Sequence, residues 1–165
     1  MVDNLFYGGE LQASKLTSEK GYYWVTTRLI RESGPWYVSN GINNPDRVYQ
    51  MMQEDLDLEN CDKEYFIVIY LDRKMKVNAS SIISIGGLNS SIVHPREVFK
   101  PALLTSSASI ILVHNHPSGD TAPSQEDIEV TRRLREAGDI LGIEVLDHII
   151  IGAGRYLSFR AKGLF

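Results

Sequence analysis

Two histidines one residue apart, His114 and His116, directly follow the apolar run Ile110-Ile111-Leu112-Val113. Side chains on a strand repeat every second residue, so a strand entering His-x-His turns both rings to one face. Seven residues separate His116 from Ser124, and two more separate Ser124 from Asp127. A carboxylate returning from the start of the next helix can complete a tetrahedral zinc site that keeps one position for water. That layout suits hydrolysis; a structural zinc site would close all four positions with protein ligands.

Simpler readings compete for the same residues. Ser124-x-x-Asp127 also fits a helix capping box, with Ser124 as the cap and an acid at the third helical position. Capping and ligation are compatible, because the cap would fix the geometry of Asp127. The letters His114-Asn115-His116 do not spell an HNH nuclease, whose three residues are spread over a ββα unit. The helical His-Glu-x-x-His protease motif is absent. The chain has one cysteine, Cys61, which excludes an internal disulfide, a cysteine zinc finger and the cysteine pair of the zinc deaminases.

The elements that must position these groups can be read outward from the motif. Pro117-Ser118-Gly119 tightens the loop after His116. A helix is predicted from Ser124 to Leu141, stopped by Gly142. Upstream, Phe66 to Leu71 is a continuous apolar run, as in a central strand buried on both faces. Val77 to Ile85 pairs with it across the Asp72-Arg73-Lys74 turn. Pro95 to Leu104 reads as a helix with Val98, Phe99, Ala102 and Leu103 facing inward, and Pro101 predicts a kink or a late start. Val145–Ile151 and Tyr156–Phe159 finish the sheet. Toward the N-terminus, residues 22–31 and 36–38 form a hairpin about Glu32-Ser33-Gly34-Pro35. Asn43-Asn44-Pro45-Asp46 then opens a helix with Val48, Tyr49, Met52 and Leu56 on one stripe, and Asp57 to Lys63 is a polar connector. The expected architecture is α/β, a mixed sheet flanked by helices, with an N-terminal extension over residues 1–60 and the core domain over 61–165.

Bulk properties agree with a soluble enzyme-sized domain. The 165 residues carry 43% apolar and 23% charged side chains, ordinary values for a globular fold. A net charge of −4 and a pI near 5.6 argue against a strongly basic protein that coats nucleic acid. The basic run Arg132-Arg133-Leu134-Arg135 lies among Glu126, Glu129 and Glu136, which reads as a solvated helix face. No apolar stretch approaches membrane-spanning length, and the polar N-terminus, broken by Gly8-Gly9, is no signal peptide. Cytoplasmic residence is expected.

The order His-x-His, seven residues, Ser, two residues, Asp, with a Glu upstream, resembles the JAMM (JAB/MPN) metalloprotease signature. More narrowly, the chain resembles the RadC family of bacterial JAB-domain proteins. The landmarks are Glu64-Tyr65-Phe66, Leu71-Asp72, Gly86 to Leu88, His94-Pro95-Arg96-Glu97, His114 to Gly119, Pro123-Ser124 with Asp127, and Asp147 to Gly152. The resemblance implies a three-layer JAB/MPN fold like that of cytidine deaminases. It implies one zinc ion per chain, with His114, His116 and Asp127 as ligands. Glu64 is then the catalytic base, Ser124 the donor to the oxyanion, and Glu97 the rival to Glu64. Glu97 and His148 are candidates for a supporting role around the ligands, and His94 flanks a helix.

Three functions follow as expectations. The first is a zinc hydrolase cutting an amide or isopeptide bond in a peptide-like substrate. The second is a DNA-associated repair factor or metal-dependent nuclease, from the family's traditional link with DNA repair. Full-length members usually carry a helix-hairpin-helix region, and no such pair is read between Met1 and Cys61, which weakens this second reading. The third is a non-catalytic interaction module. A membrane partner is not expected, and the Tyr22-Tyr23-Trp24 hairpin edge could pair with a second copy in a homo-oligomer.

Overall fold

Continuous apolar runs form the central strands of the computed structural model, which describes residues 41–42, 44–86 and 93–165. The hairpin expected over 22–38 lies outside the described residues. The order of elements is α1 (Pro45–Leu56), β1 (Tyr65–Leu71), β2 (Val77–Ile85), α2 (Pro95–Leu104), β3 (Ser109–Asn115), α3 (Gln125–Leu141), β4 (Glu144–Gly152) and β5 (Arg155–Ser158). The strands form one mixed sheet in the order β2-β1-β3-β4-β5. Only β3 and β4 run parallel, and the other neighbours are antiparallel. A parallel pair needs a crossover, and α3 supplies it.

Strands β1, β3 and β4 bury both faces, so their sequences are runs of apolar residues with little alternation. The residues still sort by parity. Phe66, Val68, Tyr70, Ile110 and Leu112 pack with Val98, Phe99 and Ala102 of α2 and Val130 and Leu134 of α3. Ile67, Ile69, Leu71, Ile111, Val113, Ile149 and Ile151 pack on the other side with Val48, Met51 and Met52 of α1. Helices therefore cover both faces of the sheet, as expected for an α/β fold.

Two helical stripes differ from expectation. In α1 the buried residues are Val48, Met51 and Met52, while Leu56, at the last helical position, is 37% exposed. In α2 Leu103 is 56% exposed, because the helix meets the sheet only through Val98, Phe99 and Ala102. That helix starts at Pro95, capped by the His94 side chain, and continues past Pro101 without a late start. The connector after α1 is not wholly polar: a 3-10 turn, Leu58–Asn60, buries Leu58 completely. On the outer face of α3, Arg132 bonds Glu129 at 2.8 Å and Glu136 at 2.6 Å, and Arg135 lies over the Phe165 ring. These contacts neutralise part of the basic run.

Candidate metal centre

Helix α3 begins with both halves of a capping box. The Asp127 amide donates to Ser124 Oγ at 3.1 Å, and the Ser124 amide donates to Asp127 Oδ2 at 2.7 Å. The box locks the first helical turn and turns the Asp127 carboxylate back over the sheet. Across from it, Phe66 pairs with His114, so Glu64, just before β1, stands level with His116, just after β3. Asn115, between the two histidines, secures that alignment. Its amide nitrogen donates to the Lys63 carbonyl at 3.0 Å and its carbonyl accepts from the Tyr65 amide at 2.8 Å. Asn115 thus grips the backbone on both sides of Glu64.

These elements bring four side chains to one point. The ligating atoms of Glu64, His114, His116 and Asp127 all lie within 4.8 Å of one another. The two Nε2 atoms are 2.9 Å apart. Asp127 places Oδ1 3.2 Å from His114 Nε2 and Oδ2 3.4 Å from His116 Nε2. A tetrahedral ion bonded at about 2.0–2.1 Å has ligands about 3.3 Å apart, so two histidines and one carboxylate fit such an ion. Glu64 Oε1 lies 3.9 Å from His114 Nε2, with its side chain 19% exposed, at the wetter edge of the group.

Each of the two histidines is oriented from behind. The Asp120 carbonyl can only accept, so the 2.7 Å contact to His116 Nδ1 fixes a proton on that nitrogen. Nε2 of neutral His116 is left with a lone pair. His114 is fully buried, and its Nδ1 meets Nε2 of fully buried His148 at 2.8 Å. The electrostatics favour a positive charge at the centre. Burial pushes the Asp127 carboxyl up, but the close approach of His114 and His116 and the hydrogen bond from the Ser124 amide outweigh it and hold it well below the usual carboxylate range. The hydrogen bond with Asp127 raises the His116 pKa against the effect of burial. A buried group of this composition can bind a metal ion.

Glu97 and His94 stand apart from this group. Glu97, on α2, bonds Arg96 at 2.9 Å and lies 3.7 Å from Lys100; hydrogen bonding from Arg96 lowers its pKa. His94 accepts from the Arg96 amide at the start of α2.

Comparison with known proteins adds a family. The sequence profile of the RadC-like JAB domain matches residues 42–164. The chain belongs to this family. Among its relatives are three curated proteins named UPF0758 proteins. One, from Syntrophomonas wolfei, is 49% identical over 96% of this chain and 74% of its own length. Another, from Geobacter sulfurreducens, is 50% identical over 92% of this chain and 65% of its own length. A third, from Methanosarcina mazei, is 56% identical over 74% of this chain and 52% of its own length. The chain therefore spans between half and three quarters of these relatives.

Within the RadC-like JAB domain, three supporting groups escape a reading of the motif alone: Asn115, Asp120 and Thr131. Asn115 is hidden between two more conspicuous residues. Asp120 acts through its backbone carbonyl, which no side-chain pattern reports. Thr131 has a sequence signal, its position four residues after Asp127, which places both on one helical face.

Proposed function

We propose that this chain is a zinc-dependent hydrolase of the JAMM type, acting on an amide or isopeptide bond of a peptide-like substrate. The observation that carries the reading is the convergence of His114, His116 and Asp127 at about tetrahedral spacing, with the Glu64 carboxylate beside them. Two histidines and one carboxylate form a known catalytic zinc set. Zinc held there lowers the pKa of a water to about 7 and polarises a carbonyl.

The protein's own groups supply the rest. In this reading Glu64 takes a proton from the attacking water and returns it to the leaving amine nitrogen. Asn115 keeps the Glu64 backbone from drifting while it does so. Ser124 Oγ already accepts from the Asp127 amide. A hydroxyl has a hydrogen of its own to give, and in this reading it goes to the oxygen that gains negative charge.

The test begins with metal content. The purified chain is expected to hold one zinc per chain and to cleave a member of a panel of peptides, isopeptides and small amides. Glu64→Gln is expected to keep the zinc and lose turnover by about a hundred- to ten-thousand-fold, the range for a removed general base. Absence of stoichiometric metal in non-chelating buffer would replace this reading with that of an interaction module. Inactivity of the zinc-loaded wild type across the whole panel counts against hydrolysis itself.

A further inference from the structure

Behind His114 lies a chain of buried hydrogen bonds whose directions can be worked out one by one. Thr131 Oγ1 lies 2.6 Å from the Asp127 backbone carbonyl and 2.5 Å from His148 Nδ1. A carbonyl cannot donate, so the single hydroxyl hydrogen of Thr131 goes to Asp127. Toward His148 the hydroxyl can then only accept, and the proton on that ring must sit on Nδ1. The His148 ring is completely buried and among the described residues bonds only the Thr131 hydroxyl and the His114 ring, with no carboxylate to hold a charge, so it is neutral and its Nε2 carries a lone pair. That lone pair faces His114 Nδ1 at 2.8 Å, and His114 must donate there. The Nε2 atom of His114 is left as a bare acceptor at the centre of the four-residue group.

We infer that Thr131 and His148 form a buried relay that sets the tautomer of His114 and so presents its Nε2 lone pair to the metal. The inference rests on the metal reading above and adds two positioning residues to it. All four members are buried: Thr131 is 2% exposed, Asp127 1%, and both histidines 0%. No water competes for these bonds in such surroundings, so the tautomer follows from the protein partners alone. The relay also joins the two ligand-bearing elements. Thr131 ties the first turn of α3, which carries Asp127, to His148 on β4, and His148 ties β4 to His114 on β3. Phe66 and Phe159 flank the His148 ring, Phe159 stacked at 4.8 Å between centroids and Phe66 edge-on at 5.6 Å, and they keep it from rotating out of line.

Thr131→Val tests the relay with little change of shape. Without the hydroxyl, His148 Nδ1 has no acceptor, and its proton moves to Nε2, where it can donate to His114 Nδ1. The His114 proton then sits on its own Nε2, facing the metal position. Nitrogen-15 NMR of the metal-free chain reads these tautomers directly. The wild type is expected to show Nδ1–H on both rings, Thr131→Val to show Nε2–H on both, and Thr131→Ser to restore the wild-type pattern. Zinc affinity, measured by competition with a chromophoric chelator, is expected to fall about ten- to a hundred-fold in Thr131→Val, the usual effect of losing a ligand's supporting partner, and to recover in Thr131→Ser. An Nε2–H tautomer at His114 in the wild type overturns the inference even if Thr131→Val does not fold. Unchanged tautomers and zinc affinity in a folded Thr131→Val overturn it as well. A wild type that takes up no zinc sinks the metal reading instead, and the tautomer shift, read without metal, still decides the relay.

Discussion

Ser124 has two roles that a pair of substitutions can separate. Its Oγ accepts from the Asp127 amide as a helix cap, and in the proposed reaction its hydrogen goes to the developing oxyanion. Alanine at a cap costs about 1 kcal/mol, whereas glycine costs only a few tenths. Both remove the hydroxyl. Ser124→Gly is therefore expected to lie within about 0.5 kcal/mol of wild type in urea unfolding while losing about a hundred- to a thousand-fold in kcat, as for a lost oxyanion donor. Ser124→Ala should lose turnover to the same extent and stability in addition. If Ser124→Gly turns over at the wild-type rate, Ser124 is a cap and nothing more.

At the scale of elements, the loop from Pro117 to Pro123 stays in place because it lies directly on the end of β4. A Cβ at Gly152 would collide with the Gly119 carbonyl oxygen and stand 2.8 Å from Thr121 Cγ2. The same loop donates the Gly119 amide to His116 O and holds His116 Nδ1 on Asp120 O. Gly152→Ala should thus cost about 1–3 kcal/mol, as overpacking usually does, and should weaken zinc binding through the displaced Asp120 carbonyl. Urea midpoints with and without zinc check both effects, and a variant equal to wild type in both would show that the loop gives way without moving His116. None of this is legible in Gly152 itself, since the contact joins residues far apart in sequence. The local signals were better guides. Ser124 and Gly142 bound α3 as a cap and a left-handed stop, and Pro95 marks the start of α2. Where burial depends on what lies opposite, as for Leu56, Leu58 and Leu103, local pattern does not report it. Burial there is decided by how far a helix overlaps the sheet, or by a short turn tucking one side chain under α1.

For the whole molecule, the three-layer arrangement accounts for both the readable and the unreadable parts of the centre. The His-x-His, Ser and Asp positions form a short contiguous motif because β3 runs straight into the loop and α3. Glu64 and His148 join it only because β1 and β4 flank β3 on either side, a fact of sheet order rather than of spacing. The same layering seals His148 under α3, and this has a consequence for global stability. Burial depresses the His148 pKa in the folded state, while the unfolded chain takes up a proton near pH 6.5. Below that pH the unfolded state binds more protons than the native state, so stability must fall as the pH falls, by up to about 1.4 kcal/mol per pH unit. His116 shifts the opposite way. Its raised pKa adds stability that is fully present below about pH 6.5 and lost as pH rises through the folded value, so it contributes no slope beneath that point. The depressed Asp127 acts lower still, its stabilisation being lost only as pH falls below the unfolded value of about 3.9. The window between about pH 6.5 and about pH 5 therefore belongs to His148 among the shifted groups. Chelator-treated protein is expected to show a urea midpoint that drops steadily across it. Replacing His148 by Phe, which cannot take up a proton in either state, should flatten that drop whatever it does to the midpoint at neutral pH. A slope that persists unchanged in His148→Phe would assign the acid sensitivity to some other group.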